Sequence, residues 1–371
     1  MRSRLLALVA FALLGLPDGM LGVAWPSIRR SFDQPLGALG LLLAIATAGS
    51  LVGAAGSGRI RTAIGTRREV ALAAGAMAAA LAAFGAVPVW GGALGAVVLL
   101  GLGIGVFDAG FNAEAALAHG PRLMNLMHAS YGLGATLGPP VVTLVLAHTS
   151  WRAAYLGVAA FDAALALTLW LGLETAPAQP PDPRRARPRV GPLLALTMVL
   201  FFVAVGLELT VGAWSFTLLT DGRGLSRGEA AAWVASFWGA FTGGRALIGV
   251  AGGGLAPAVG VRFGAVGSIA GAALLWWNPG GAGVAALPLI GFALAPVFPA
   301  LVLLTPARMG AERAAAAIGY QLAAGTLGGA ALAGLAGVVL QHVGLESLGP
   351  YVLALAVVQL GLQAATARAA A

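Results

Sequence analysis

The sequence predicts an all-α integral membrane protein with twelve transmembrane helices in two pseudo-symmetric six-helix bundles. Three observations carry the prediction. Of 371 residues, 59% are hydrophobic and 9% charged, where soluble domains carry about 25% charge; the mean hydropathy is +0.92. Stretches of about 20 mostly apolar residues, the length that crosses a bilayer as a helix, recur twelve times. They cover approximately 5–27, 36–58, 69–87, 92–117, 123–147, 153–173, 192–219, 226–252, 262–278, 283–305, 313–340 and 348–367. The halves also repeat each other: "LLALVAFALLGLPDGMLGVAW" (5–25) lines up with "LLALTMVLFFVAVGLELTVGAW" (193–214), with the same start, an acid about two-thirds along and a terminal Trp. Glycine, at 56 residues, is about twice its ordinary share, which suits helices whose backbones approach closely.

Taken in order, the first segment holds Pro17-Asp18-Gly19, which in water would form a turn. Irregular backbone at membrane depth is tolerated where it lines a cavity. The triplet therefore predicts a kinked, cavity-facing stretch that presents the Asp18 carboxylate. The alternative is an ordinary proline kink with Asp18 bonded to a neighbouring helix. The second segment is glycine-rich and leads into the basic loop "GRIRTAIGTR" (58–67), with a weaker counterpart, "GGLAPAVGVR", ending at Arg262. The fourth segment carries "GIGVFDAGFNAEAAL", with Asp108, Asn112 and Glu114; the fifth begins "PRLMNLMHASYGLGATLGPP", with Asn125, His128 and Tyr131. The sixth carries Asp162, for which no partner is evident. The Pro-rich, basic stretch "ETAPAQPPDPRRARPRVGP" (174–192) reads as an extended surface linker. It divides an N-terminal bundle (1–173) from a C-terminal one (192–371) through a linker at 174–191. In the second half, the seventh segment carries Glu208 and Thr210, the eighth Trp233, Trp238 and Arg245, and the eleventh Gln321. The tenth contains Pro288, Pro296 and Pro299 and is expected to be broken or kinked.

Arginine placement sets the orientation. With both termini inside, fifteen arginines fall on the cytoplasmic side and five (Arg29, Arg30, Arg152, Arg223, Arg227) on the other, with Arg245 inside the eighth segment. The positive-inside rule then places both ends in the cytoplasm. The formal charge of +8 does not imply nucleic-acid binding, because the arginines are dispersed between apolar runs. There is no cysteine, and the four histidines are isolated, so no zinc or thiolate site is expected and no cofactor is called for. "GLGIG" (101–105) lies within a helical run with no preceding strand and is not a phosphate loop. No nucleophile–base set occurs, so the chain is not expected to be an enzyme.

Ionisable groups at membrane depth are costly and functional by default. By helical rise, Asp18 lies roughly 20 Å and Glu208 roughly 22 Å above the cytoplasmic starts of corresponding helices, which points both toward a shared polar cavity. Asp108 and Asn112, four apart, share a helix face. Folding the fourth and fifth segments about residue 120 brings Asn112 level with His128 and Asp108 level with about Gly132. A carboxylate, two amides, an imidazole and a phenol then line one wall, or else tie the helices together as a polar knot. Carboxylate with amide suits a polyhydroxy ligand, and carboxylate with imidazole suits proton transfer. Trp238 is a candidate stacking face and Gln321 a candidate ligand contact. Arg245, roughly 14 Å from the inner face, is near the height of Asp108 at roughly 15 Å and is a candidate gate. Glu114 reads as interfacial.

The twelve segments, central linker and basic loop resemble the major facilitator superfamily over essentially the whole chain. Within it, "LPDGMLGVAWP", "GIGVFDAGFN" and "RLMNLMHASYGLGA" resemble the fucose/galactose/glucose–proton symporters, fucose permeases in particular. In that group an acid on the first helix and one on the fourth carry proton coupling and sugar contact. By position these correspond to Asp18 and Asp108, with Asn112, Asn125, His128 and Tyr131 nearby and Glu208 as a further coupling candidate. The resemblance implies an alternating-access symporter of a small polar solute such as a monosaccharide, in a bacterial cytoplasmic membrane. Its coupling ion would be the proton, with sodium as the alternative, and its usual state a monomer. Export of drugs or lipophilic metabolites is the alternative function. The loop motif usually reads G-x-x-x-D-R-x-G-R-K; here Gly58, Gly65 and Arg67 are kept, but Thr62 stands where the acid belongs, which weakens the cytoplasmic charge latch. Positions 128 and 131 are His and Tyr where fucose permeases favour amides. "GLGATLGPP" (132–140) partly matches the fifth-helix motif of drug–proton antiporters without its closing glycine pair.

Overall fold

The structure, a computed structural model, describes residues 2–118, 120–172, 190–250 and 256–370; among these, the side chains of 2–4, 113–125, 249–250, 311–312 and 315 are not described. The linker at 174–189 therefore lies outside the described residues. The described residues are helical almost throughout. The helices are α1 (Arg2–Ser31), α2 (Ala38–Ile64), α3 (Thr66–Ala86), α4 (Trp90–Ala118), α5 (Gly120–His148), α6 (Trp151–Gly172), α7 (Pro192–Thr217), α8 (Arg227–Val250), α9 (Pro257–Trp277), α10 (Ala286–Leu294), α11 (Val297–Met309), α12 (Ala311–Val343) and α13 (Leu348–Ala369). Among the described residues, eleven stretches are long and apolar enough to cross a membrane, α10 and α11 counting as one broken span, and α8 completes the twelve. Large apolar side chains such as Phe161, Leu171 and Leu144 are exposed, as a lipid-facing surface requires.

Two compact units divide the chain: Met1–Gln34 with Leu41–Asp182, and Pro35–Gly40 with Pro183–Ala371. Each shows the same helix pairing, displaced by six spans. In the first, α1 packs on α5 and α3 on α6; in the second, α7 packs on α12 and α9 on α13. Likewise α2 meets α4, and α8 meets α10. The paired tryptophans of the sequence repeat, Trp25 and Trp214, are both fully buried, and the indole of Trp214 donates to the Ala333 carbonyl at 2.8 Å.

Glycine makes the pairing of α1 with α5 possible. A Cβ on Gly19 would lie 2.8 Å from the carbonyl carbon of Ala135, and one on Gly138 2.7 Å from that of Gly19. Gly15 and Gly134 meet the opposite backbone in the same way. Two glycine pairs spaced by four, one on each helix, thus form a mutual seam.

The Pro17-Asp18-Gly19 triplet, expected to kink the segment, lies within a single helix that runs from Arg2 to Ser31 with Pro17 and Pro26 inside it. Pro17 removes a single backbone donor, and Gly19 is there for close approach to α5 rather than for a turn. The tenth span does break. Helix α10 ends at Leu294, and α11 starts at Val297, after Pro296.

Two of the minority arginines hold helix ends. The Arg152 guanidinium donates to the carbonyls of Gly85 (3.1 Å) and Val87 (2.7 Å) at the end of α3. Arg223 donates to the Leu275 carbonyl near the end of α9 at 2.7 Å while paired with Glu346 at 2.8 Å. Cations at helix C-termini complement the dipole. Both units use the device on corresponding helices.

Candidate functional site

In the first unit two hydrogen-bonded pairs of polar groups lie at membrane depth. Asp18 sits about 24 Å along α1 by helical rise, and the glycine seam holds its flank against α5. There the Tyr131 hydroxyl donates to Asp18 Oδ2 across 113 positions of sequence. Asp18 is exposed. A carboxylate exposed at this depth needs a polar, water-accessible surrounding, because lipid would not solvate it. Tyr155 of α6, which the sequence reading did not single out, is buried and lies within electrostatic reach of Asp18.

The second pair is on α4. Asn112 Nδ2 donates to Asp108 Oδ1 and to the Asp108 carbonyl, each at 2.9 Å. Both residues are half-buried. The amide thus turns back on its own helix, as the four-residue spacing allows, and leaves Asp108 Oδ2 and the Asn112 carbonyl oxygen as acceptors. The same three helices, α1, α4 and α5, also share an aromatic contact. Phe11 of α1 meets Phe111 of α4 edge-on at 6.1 Å and His128 of α5 edge-on at 5.7 Å. His128 is exposed. Of the residues expected along one wall, Asp108 and Asn112 bond to each other, Tyr131 bonds to Asp18, and His128 packs on Phe11. The side chains of Asn125 and Glu114 lie outside the described residues.

In the second unit Glu208 is half-buried on α7. Trp238 is 2% exposed and packs beside Phe237, Phe241 and Gly212. Its place is thus between α7 and α8, in the packed interior, rather than on an open face. Gln321 is 1% exposed. Its amide donates to Thr197 Oγ1 and its carbonyl accepts from Thr305 Oγ1, both at 2.9 Å. It ties α7, α11 and α12 together, so its hydrogen-bonding groups are engaged internally. Arg245 lies over the Phe241 ring, 3.9 Å from its centroid, and its Nε points to the Ala295 carbonyl at the α10–α11 break, at 3.4 Å. That is cation–π geometry.

Near the end of α2 and the start of α3, Arg67 is exposed. The buried charge there belongs to Glu69, which the sequence reading also did not single out. Glu69 pairs with Arg61 at 2.9 Å and accepts from Ser57, whose hydroxyl also receives Arg61 Nη2 at 2.9 Å. An acid is thus supplied seven residues after Thr62, at the first turn of α3. A Cβ on Gly110 of α4 would come within 3.4 Å of the Glu69 carboxylate, so α4 closes over the pair. Among the described residues no group of three His, Asp or Glu is placed to hold a metal.

Over 181 aligned residues the chain is 25% identical to the Saccharomyces cerevisiae protein "Bypass of stop codon protein 6", a match covering 40% of this chain and 36% of that protein. It thus spans about a third of that relative's length. A crystal structure of the nucleoside transporter NupG superposes with a TM-score of 0.81 at 14% identity, covering 97% of this chain and 98% of that one. The Escherichia coli fucose:proton symporter superposes with a TM-score of 0.66 at 15% identity, covering 99% and 98%. At these identities the structural likenesses speak for the fold. The family model described as Major Facilitator Superfamily matches residues 7–333. With its paired six-span units, the chain belongs to the Major Facilitator Superfamily and is a multi-pass membrane protein.

Proposed function

We propose that this protein is a proton-coupled symporter of a small polar solute, a monosaccharide in the first place, working by alternating access as secondary transporters with repeated halves do. The observation that carries the reading is Asp18: exposed at membrane depth and bonded to Tyr131. A carboxylate there takes up and releases a proton, and the phenol steadies it in both states. Asp108 and Asn112 offer two acceptor oxygens without a partner among the described residues, suited to the hydroxyls of a sugar. His128 is a further polar contact, Glu208 is the coupling candidate of the second unit, and Arg245 and Arg67 are candidates for gating. The nucleoside and fucose of the similar structures' names are sugar-bearing or sugar solutes, which supports the class. The arginine count supports cytoplasmic termini in a bacterial cytoplasmic membrane.

Asp18→Asn tests the reading in proteoliposomes. The variant is expected to lose accumulation driven by a pH gradient yet keep solute exchange, because exchange does not require the proton to cycle. Gradient-driven accumulation at the wild-type level would overturn the assignment. A thermal-shift screen at two pH values separates the alternative: a hexose that raises the melting temperature more at the lower pH supports symport. Stabilisation only by lipophilic cations, stronger at the higher pH, replaces it with export.

A further inference from the structure

One buried ionisable group has no part in the proposed transport site. Asp162, midway along α6, is 1% exposed, and neither of its carboxylate oxygens has a hydrogen-bond partner among the described residues. Helix α6 packs on α3, with Ala166 against Gly75 and Leu156 against Gly85. That antiparallel register sets Asp162 level with Ala78, Ala79 and Ala80. From Val70 to Ala86, α3 has no ionisable or hydroxyl side chain. The elements packed on α6 carry other titratable groups among their described side chains, but none of these hydrogen-bonds to Asp162. They are Asp18 on α1, His128 and Tyr131 on α5, and Tyr155 on α6 itself. The remainder sit at helix ends: Arg29 and Arg30, Arg67, Arg68 and Glu69, His148 and Arg152. A lone carboxylate shut in such a seam is disfavoured as an ion, because neither water nor a cation compensates it.

The internal repeat supplies a second, independent observation. Counted from the first residues of α6 and α13, Trp151 and Leu348, Asp162 and Gln359 each stand twelfth. Gln359 is fully buried, and neither of its amide atoms has a hydrogen-bond partner among the described residues. Helix α13 packs on α9 as α6 does on α3. At this matching position each unit therefore buries a polar side chain. In the second unit it is a permanently neutral amide; in the first it is an acid, which matches an amide in polarity only when it carries its proton.

We propose that Asp162 is a second proton-binding residue, separate from Asp18, which holds its proton between α3 and α6 and whose ionisation loosens that seam. The proposal does not depend on which solute is carried.

The test compares the wild type with Asp162→Asn and Asp162→Gln in lipid nanodiscs, melting each from about pH 5.5 to 8.5. The folded state holds the proton and the unfolded chain releases it over this range. The wild type should therefore lose melting temperature relative to both variants as pH rises. Wild type and variants that melt in parallel at every pH overturn the proposal. Infrared spectra at neutral pH give a second reading. The carbonyl stretch of a protonated carboxylic acid should vanish in Asp162→Gln, shift in Asp162→Glu and persist in Asp18→Asn. Asp162→Gln copies the side chain already accommodated at position 359, and Asp162→Glu retains the acid, so the spectral test survives the misfolding of either one. A band unaffected by any change at position 162 refutes the assignment.

Discussion

Replacing Gly19 by alanine tests whether close backbone approach builds the Asp18 site. The new Cβ would stand 2.8 Å from the carbonyl carbon of Ala135 and 2.9 Å from its Cα, where ordinary contact begins at 3.4 Å. These are backbone atoms of α5, so no rotamer change relieves the clash, and the two helices must part or shear by about an ångström. Overpacking of this kind costs about 1–3 kcal/mol. The higher helix propensity of alanine offsets up to about 1 kcal/mol. Gly157 on α6 supplies the control: a Cβ there meets nothing within 4 Å, so only propensity acts and stability rises by about 0.5–1 kcal/mol. Two glycine-to-alanine changes in spanning helices should therefore shift stability in opposite directions. The displacement also opens the Tyr131–Asp18 hydrogen bond, since such bonds weaken steeply beyond their normal range, so transport should fall with Gly19→Ala and not with Gly157→Ala. Melting in detergent followed by Trp fluorescence gives the order, Gly157→Ala above wild type above Gly19→Ala. A Gly19→Ala protein that melts at or above the wild type refutes the reasoning.

Further outcomes follow from the other bonded groups. Gln321→Leu removes two internal hydrogen bonds, worth about 1 kcal/mol each, and should lower the melting temperature without changing solute affinity in a binding titration. Arg61→Ala leaves the buried Glu69 without its cation and should cost about 3–5 kcal/mol, whereas adding Glu69→Gln to it should recover much of the loss in a double-mutant cycle on thermal stability.

Much of the architecture is legible in the sequence because lipid demands long apolar runs, and the repeat announces itself in matching starts and matching tryptophans. The broken tenth span is legible too, since proline removes donors that a helix needs. What escapes is set by contacts between distant positions. The Tyr131–Asp18 bond joins residues 113 apart, and only the register of α1 on α5 brings them together. Pro17-Asp18-Gly19 stays helical because its turn signal belongs to water, where the backbone has an alternative partner; in a spanning helix it has none. Trp238 and Gln321 look like ligand contacts by residue type, yet both are sealed inside the second unit. Glu69 has no periodic cue at all. It acquires its role from Arg61 across the α2–α3 turn.

The glycine pattern and the acid positions are one arrangement. Asp18 stands three residues after Gly15, which meets α5, and Asp108 three residues after Gly105, which meets α2. A step of three along a helix turns the side chain about 60° from the contact line and lifts it about 4.5 Å. Each carboxylate therefore emerges at the edge of a seam in which two backbones are already in contact. At that separation a side chain as short as aspartate is fixed by its helix rather than by its rotamers, and a phenol from the neighbouring helix reaches it without crossing open space. On wider-spaced helices the same contact would need a glutamate, with one more freely rotating bond and a less certain position for the proton. The small residues that hold the helices together thus also set where the protonatable group stands.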